Sequence, residues 1–444
     1  MKKSFQSGVA MLLAGLMTFS IAGCSGSASG TSSTGNTAKT ESAALSEEVT
    51  IKYPTYRVGT QVSAKAEKKI IDGFNEKYKG KIKLEVEELP SDQSYVEKMK
   101  VLAASNALPD VVEGKDGVLE LAIRNGQAID LSTYVNADAD YKKVIGQEAI
   151  DANTRDGKLY SISNGRQLIG YFYNKELFTK AGITPAKTWD EFMSNCQKLL
   201  DKGITPISMM TGENCWTTNL LLSAMIGTAN EAGNTFMKTK YPTSYNTPEM
   251  KDALEKVKTV LNKYTTKDAL GAKYDIAANH FLQGNTAMIC NGPWMTADFT
   301  NTEKAAAGLG DKIGVALYPN DGVFAQYEIG YMVCSADKAK QDAAFEFIKY
   351  KTNAESQKIM LEDSGTVPLT NEVQMSDEYK KANALMSELI DMSGSAKYKF
   401  NSFDQISYSS VIEEMSKDYP ALSMGDMSGD DMIQAMTTAA AKNK

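Results

Sequence analysis

The residues best suited to chemistry in this sequence are aromatic rings and polar groups that directly follow short apolar runs. Residues 53–57 read YPTYR and place Tyr53 and Tyr56 beside the Arg57 guanidinium, which carries five hydrogen-bond donors. Asp116 lies in a glycine-flanked turn after another apolar run. The alternative for both segments is an ordinary solvent-exposed loop, because an aspartate between glycines is typical of a turn.

A second set of such residues lies further along the chain. Arg166 and Gln167 precede an aromatic segment, and Trp294 follows an apolar run that Gly292 and Pro293 interrupt. An exposed tryptophan at a strand end is a natural platform for a sugar face, since C–H groups pack on the ring while rim hydroxyls take hydrogen bonds. The alternative is a tryptophan buried between lobes, and residue chemistry leaves both open.

Signals for catalysis or metal binding are absent or weak. The chain has one histidine, His280, which excludes metal sites built from paired histidines and leaves it as the sole base for a Ser-His-Asp triad. No phosphate-binding glycine motif and no HExxH occurs. A glycosidase needs only two carboxylates, so 55 acidic residues do not exclude that class. We expect no cofactor, no metal and no enzymatic activity.

The charge balance disfavours nucleic acid as a partner. The sequence has 48 basic and 55 acidic residues, a net charge of −7, and four arginines among its basic residues. Binding to nucleic acid requires a basic face that neutralises phosphates. We therefore expect no nucleic-acid partner.

The elements that would position these groups begin with a β-α-β-α-β order. Alternating apolar and polar residues predict strands at 49–53 and 82–86, and helical periodicity marks 63–78 and 95–104. A short strand follows at 110–112. This order predicts a parallel sheet covered by helices, with any ligand site at the carboxyl ends of its strands. Later helices have N-terminal capping signals at residues 188–191, 247–248 and 428–431.

The first 45 residues predict export and a membrane anchor. Lys2 and Lys3 precede an apolar run over 9–21, which suits a signal-peptide core and is too short to span a bilayer. The run ends in IAGC (21–24), which resembles the bacterial lipobox, so we expect a lipoprotein signal peptide over 1–23 and lipidation of Cys24. The alternative is an ordinary secretory signal with a chance cysteine. Residues 24–45, rich in Ser, Gly and Thr, predict a flexible tether.

Four further cysteines permit two disulfides in an exported protein, with three possible pairings. They are Cys196, Cys215, Cys290 and Cys334. No CxxC occurs, and we interpret the four as small buried apolar residues.

Several separated motifs together resemble the family 1 extracellular solute-binding proteins, the maltose-binding-protein-like carbohydrate receptors of ATP-driven (ABC) importers. The motifs are FNEKY (74–78), LPDVV (108–112), DGKLY (156–160), YNKELF (173–178), TWDEF (188–192), FLQGNTAM (281–288), NGPW (291–294) and VP (367–368). Each is weak alone, but their number and order cover almost the whole chain after the tether.

The resemblance implies an α/β fold of the two-lobed periplasmic-binding-protein-like type (type II), each lobe a sheet flanked by helices, with a hinge between lobes. The N-lobe would comprise 46–168 and 320–370, and the C-lobe 171–315 and 373–444. The function implied is that of a lipid-anchored, extracellular and monomeric receptor. It would capture an oligosaccharide between closing lobes and deliver it to ABC transporter permease subunits.

The resemblance also assigns roles to residues. Trp294 corresponds to the sugar-stacking aromatic, Gln167 to a polar sugar ligand with Arg166 beside it, and residues 53–57 with Asp116 to N-lobe contacts. Trp216 falls where relatives carry an aromatic pair. Glu328 lies where the chain re-enters the N-lobe, and there this chain has Ile329-Gly330 in place of the common Gly-Gly. The C-terminal aromatic of relatives has no tryptophan here, which leaves Phe403, with Phe400 and Asp404, as candidates.

Rival functions remain at this stage. The same fold could bind a peptide, a polyamine or iron. Arg57 and Arg166 argue against a polycation, and a single histidine argues against iron. A surface enzyme acting on glycans and an adhesive surface protein are further alternatives.

Overall fold

The computed structural model describes residues 48–370 and 372–443. The predicted signal peptide, Cys24 and nearly all of the tether therefore lie outside the described residues. Within this part of the chain, no helix is long and apolar enough to cross a membrane.

The strands are named here in chain order. They are β1 (Val49–Thr55), β2 (Ile82–Glu88), β3 (Val111–Glu113), β4 (Thr154–Arg155), β5 (Lys158–Leu159), β6 (Arg166–Asn174), β7 (Thr205–Ser208), β8 (Thr286–Asn291), β9 (Ile313–Ala316), β10 (Gly322–Tyr327), β11 (Tyr331–Val333) and β12 (Tyr398–Phe400).

The helices are named in the same way. They are α1 (Ala64–Lys77), α2 (Asp92–Ala104), α3 (Val118–Arg124), α4 (Ser132–Asn136), α5 (Ala139–Ile145), α6 (Gln147–Asn153), α7 (Lys175–Ala181), α8 (Trp189–Asp201), α9 (Trp216–Gly227), α10 (Glu231–Phe236), α11 (Pro248–Thr259), α12 (Tyr274–Leu282), α13 (Leu309–Lys312), α14 (Lys338–Thr352), α15 (Ala354–Ser364), α16 (Asp377–Ala382), α17 (Ala384–Ser395), α18 (Phe403–Ile406), α19 (Ser409–Met424) and α20 (Gly429–Ala441). A π-helical turn, Val260–Tyr264, continues α11, and a 3₁₀ helix spans Pro293–Thr300.

The first lobe is built on the predicted β-α-β start. Strand β1 pairs in parallel with β2, and β3 pairs antiparallel with β11. The backbone N–H of Lys52 in β1 donates to Asp110 just before β3, at 2.8 Å. Apolar residues of β1, α1 and α14 form the core of this lobe, including Ile51, Phe74 and Phe347.

The second lobe is built on a six-stranded sheet of the described residues. Its order is β12-β10-β6-β8-β7, and β9 also pairs with β6. Side chains of β6 alternate between two apolar clusters, with Ile169 and Tyr171 in one and Leu168 and Phe172 in the other. The sheet therefore has a packed layer on both faces, and the expected architecture of sheets flanked by helices is confirmed.

The lobe boundaries need a correction. The sequence placed residues up to 168 and from 320 onward in the N-lobe, but β6 begins at Arg166 and pairs with β10 in the large sheet of the second lobe. The chain re-enters the first lobe after Tyr327 instead. Pairing register could not be read from the sequence, because Phe324 of β10 pairs with Ile169 of β6, 155 residues earlier in the chain.

Two of the segments that join the lobes lie side by side. Ile162 and Tyr331 exchange two backbone hydrogen bonds of 2.9 Å, and Ser163 Oγ donates to the Glu328 carbonyl at 2.6 Å. Gly330 has φ +70°, and a Cβ there would lie 1.9 Å from the Ile162 carbonyl oxygen. One glycine is thus required at this crossing, and Ile329 beside it packs on an apolar cluster of the first lobe.

The predicted helix starts are confirmed. Thr188 accepts from the Glu191 N–H, Thr247 accepts from the Met250 N–H, and Ser428 forms a capping box with Asp431. The four cysteines of the described residues are free, and all but Cys334 are buried.

Candidate functional site

The end of β1 contributes a guanidinium that is already paired. Arg57 is 9 % exposed, and its Nε and Nη2 donate to Glu113 at the end of β3, at 3.2 and 2.6 Å. Burial opposes ionisation of both groups, but the mutual attraction keeps the pKa of Arg57 raised and the pKa of Glu113 lowered. Arg57 is thus held by Glu113, which the sequence analysis did not single out.

Tyr56 lies against the same cluster. Its hydroxyl donates to Glu113 Oε1 at 3.4 Å, and Lys115 Nζ lies 5.1 Å from the centre of its ring. Lys115 in turn forms an ion pair with Asp92 at the start of α2. The ring therefore sits among fixed charges, with cations near it as in cation–π contacts.

Asp116 and Asp404 belong to different lobes, and the charge of Asp116 acts on the ionisation of Asp404. Asp116 has a left-handed backbone, φ +49°, in the turn before α3, and Asp404 lies on the one-turn helix α18. Burial, followed by the charge of Asp116, raises the pKa of Asp404 to about 8, and burial raises the pKa of Asp116. Asp404 Oδ2 is buried without a hydrogen-bond partner among the described residues. We call this meeting point of the lobes the lobe interface.

Gln167 belongs to a polar chain that links β6, β10 and the segment before α18. Gln326 Nε2 donates to Gln167 Oε1 at 2.6 Å, and Gln326 also exchanges hydrogen bonds with Ser402. Gln167 Nε2 lies 3.4 Å from Glu328 Oε1, and burial raises the pKa of Glu328 against the opposing effect of Arg57. Gln326 and Ser402 were not predicted, since only strand pairing brings them beside Gln167.

The Arg166 side chain contacts the VP motif at 367–368. Its Nε donates to the Pro368 carbonyl at 2.6 Å, and its backbone bridges to Val367. The late VP motif therefore packs on the first residue of β6.

Trp216 and Trp294 lie side by side in the second lobe. Their ring centres are 6.0 Å apart at 44°, and both are partly exposed. Trp216 Nε1 donates to Asn291 at the end of β8, at 3.4 Å. A Cβ at Gly292 would meet the Trp294 ring at 2.2 Å, so the glycine lets the ring fold over the chain. Cys215, the neighbour of Trp216, is fully buried.

Two predicted site residues lie in the lobe cores and are corrected here. Tyr53 is 1 % exposed, donates to the buried Glu67 at 2.7 Å and packs edge-on against Phe347. It belongs to β1 itself, which runs to Thr55, and not to the loop after it. Phe403 is 0 % exposed and packs in the second-lobe core near Tyr245, so of this short helix only Asp404 stays a candidate.

Groups of acidic, histidine and cysteine residues that could hold a metal ion do not occur among the described residues. His280 pairs with Asp268 at 2.9 Å. The groups brought together are thus suited to hydrogen bonding and ring stacking.

Comparison with known proteins identifies proteins to which this chain is similar. It is 28 % identical over 209 residues to the multiple sugar-binding protein of Streptococcus mutans, a match covering 44 % of this chain and 48 % of that protein. The chain thus spans about half the length of this curated relative.

Two solved structures share the fold. One is a chitin oligosaccharide binding protein, 23 % identical with a TM-score of 0.75, where the match covers 90 % of this chain and 99 % of the other. The second is a Streptococcus pneumoniae solute-binding protein in complex with the blood group A-trisaccharide, 21 % identical with a TM-score of 0.75 over 88 % and 98 % of the two chains.

A family profile matches the central part of the sequence. It spans residues 69–387, more than half of the chain, and includes Glu113, Asp116, Gln167, Trp216, Trp294 and Glu328. The chain therefore belongs to the bacterial extracellular solute-binding protein family.

Proposed function

We propose that this protein is the receptor of an ABC importer, which captures a sugar of oligosaccharide size between its lobes and delivers it to permease subunits. The observation that carries the proposal is the pair of partly exposed tryptophans, Trp216 and Trp294. Two adjacent rings offer more apolar face than one sugar ring covers, which favours a ligand of more than one unit. The sugar-related names of the relatives support the same ligand class.

The polar groups would then take the sugar hydroxyls. Asp116 follows β3 of the first lobe, and Glu328 lies where the chain crosses between the lobes after β10. Gln167 and Asp404 belong to the second lobe. A ligand that contacts both sets stabilises the arrangement in which the lobes meet. Such binding makes and breaks no covalent bond, so the proposal includes no catalytic residue.

One observation favours a second candidate, a polyamine or another cationic solute. The charges of Asp116 and Asp92 both act to raise the pKa of Asp404, after the larger effect of burial. Arg57, which on sequence grounds argued against a polycation, is neutralised by Glu113. An ammonium group at the lobe interface would relieve the repulsion between these carboxylates.

Calorimetric titration of the purified protein decides between the two. The ligands are a series of oligosaccharides of increasing length, their monosaccharides, and spermidine as the cationic probe. Saturable binding that strengthens from mono- to oligosaccharide, without product release, is expected. Binding of spermidine with no response to any sugar would replace the sugar by a cationic solute, and release of smaller sugars would make the protein an enzyme.

Membrane attachment through Cys24 is a separate part of the proposal. Two or three acyl chains on this cysteine would hold the protein stably at the outer face of the membrane. The test expresses the full chain and Cys24→Ser, then partitions both in detergent. We expect the native chain in the detergent phase and the variant in the aqueous phase; equal partitioning would remove the lipid anchor. A monomer, checked by light scattering, is expected for both.

A further inference from the structure

A three-residue contact that includes none of the proposed ligand groups joins the two lobes. Glu120, on α3 of the first lobe, accepts two hydrogen bonds at its Oε1 atom. One comes from Arg155 Nη2 of the same lobe at 2.9 Å, and the other comes from the Tyr241 hydroxyl of the second lobe at 2.5 Å. A single carboxylate oxygen thus connects a cation of one lobe with a phenol of the other.

The rings and charges around this oxygen strengthen the connection. The Arg155 guanidinium lies 4.9 Å from the centre of the Tyr241 ring, and the Tyr408 ring of the second lobe packs against that ring, tilted by 32° with ring centres 4.5 Å apart. The side chains of Arg155 and Glu120 are only 24 % and 18 % exposed. Partial burial reduces screening by water and salt, so this ion pair differs from the exposed pairs that contribute little.

The backbone of Tyr241 is held in an unusual conformation to make the contact. Its φ of +50° lies in the left-handed region, which is uncommon for a tyrosine. The Tyr241 N–H donates to the Ile406 carbonyl at 2.6 Å, which ties this conformation to the end of α18. Strain of this kind persists where surrounding structure fixes it, and it concentrates at functional contacts.

The phenol is suited to donate at all ordinary pH values. Burial and the charge of Glu120 raise the pKa of Tyr241, so its hydroxyl keeps its proton. A charge-assisted hydrogen bond between lobes has a different effect from one within a lobe, because it stabilises one relative position of the two bodies.

We propose that Glu120, Arg155 and Tyr241 are positioning residues that form an inter-lobe latch, which holds the lobes together before any ligand is bound. Under the proposed receptor function, the latch would raise affinity by increasing the fraction of protein that is ready to bind. The latch itself does not depend on which solute is captured.

The test measures the distance between lobes in protein without ligand. Val101 on α2 and Met424 at the end of α19 are 67 % and 65 % exposed, one on each lobe. Both are changed to cysteine and spin-labelled in a Cys24→Ser, Cys334→Ser background, since the other three cysteines of the described residues are buried. Pulsed electron resonance then gives the populations of short and long distances.

Tyr241→Phe removes the inter-lobe hydrogen bond and keeps the ring. We expect the ratio of short to long distances to fall about tenfold, the usual effect of losing a hydrogen bond to a charged group. Glu120→Gln, which keeps an acceptor but loses the charge, should give a smaller change in the same direction. Identical distance distributions for the native protein and both variants would overturn the latch.

A matched control separates this effect from the loss of any tyrosine hydroxyl. Tyr134 donates to Asp342 at 2.7 Å within the first lobe, so Tyr134→Phe loses the same type of bond without touching the second lobe. It should leave the distances unchanged, and an equal shift would also count against the latch. Because no ligand is present, a failed sugar titration would overturn the receptor function and leave this result standing.

Discussion

The two lobes contribute opposite kinds of chemistry to the region where they meet. The first lobe supplies charges that are already paired, with Arg57 held by Glu113 and Lys115 by Asp92. The second lobe supplies the partly exposed rings of Trp216 and Trp294. Paired buried charges hold geometry, whereas exposed rings still have apolar surface to bury.

This difference predicts that substitutions in the two lobes have different effects. Removing one member of a paired, buried set leaves the other charge unpaired, so the main effect should be on folding. Removing an exposed ring leaves no charge behind, so the main effect should be on binding. The predictions below test whether the two sides separate in this way, beginning with the largest expected effect.

Glu113→Ala should destabilise the protein by about 3–5 kcal/mol. The substitution leaves the Arg57 guanidinium buried without the two hydrogen bonds that Glu113 accepts. Urea denaturation measures the change. Glu328→Gln is the control, because Glu328 lies 3.5 Å from Arg57 and contributes a weaker contact. Equal and small losses for both variants would mean that the charged side does not hold the fold.

Trp294→Ala should weaken sugar binding by about 1–3 kcal/mol, by analogy with alanine substitutions at stacked aromatic contacts. The loss of ring face is the cause, and calorimetry with the best-binding oligosaccharide measures it. Ile276→Ala, an exposed apolar residue of α12 in the same lobe, should leave affinity unchanged. Unchanged affinity in Trp294→Ala would remove the tryptophan from the binding site.

The expectation that ligand groups follow the carboxyl ends of strands identified part of the region where the lobes meet from sequence alone. It placed Tyr56, Arg57 and Asp116 after strands that the structure confirms. It ended the strand at Tyr53, where the apolar alternation stops, and counted this residue with the loop that follows, yet β1 continues to Thr55. Hydrogen bonding to β2 extends the strand, and no local pattern reports that pairing.

Long-range partners and short helices set the limit of prediction. Glu113 is the last residue of β3, and its role depends on Arg57, 56 residues earlier in the chain. Phe403 and Asp404 are neighbours on a helix of one turn, where Phe403 enters the core and Asp404 meets the other lobe. So short an element has no periodic pattern, and its two directions could not be assigned.

The raised pKa of Asp404, caused by burial and by the charge of Asp116 of the other lobe, should make stability depend on pH. Folded Asp404 keeps its proton up to about pH 8, whereas an unfolded aspartate releases it near pH 4. The folded state therefore holds more protons between these values, so stability should fall as pH rises through this window. The slope from this group is at most about 1.4 kcal/mol per pH unit, and solvent at this partly exposed site reduces it.

Asp404→Asn should remove that slope and make the protein more stable than the native chain near pH 8. Melting temperatures from pH 4 to pH 8 measure it. Asp116→Asn should give a weaker version of the same result, because it removes the neighbouring charge but leaves the burial of Asp404. A slope unchanged in both variants would show that the two carboxyls do not meet in solution.

The smallest expected effect comes from a substitution that distinguishes the contribution of the Trp216 ring to sugar affinity from that of its N–H group. Trp216→Phe keeps an aromatic face and loses the 3.4 Å hydrogen bond to Asn291, so sugar affinity should fall by less than about 1 kcal/mol. Trp216→Ala should cost about as much as Trp294→Ala, since both lose the stacking face. If Phe and Ala at this position cost the same, the indole N–H and its orientation of Asn291 would matter more than ring contact. The second lobe would then depend on polar contacts as the first lobe does, and the contrast between the two sides would fail.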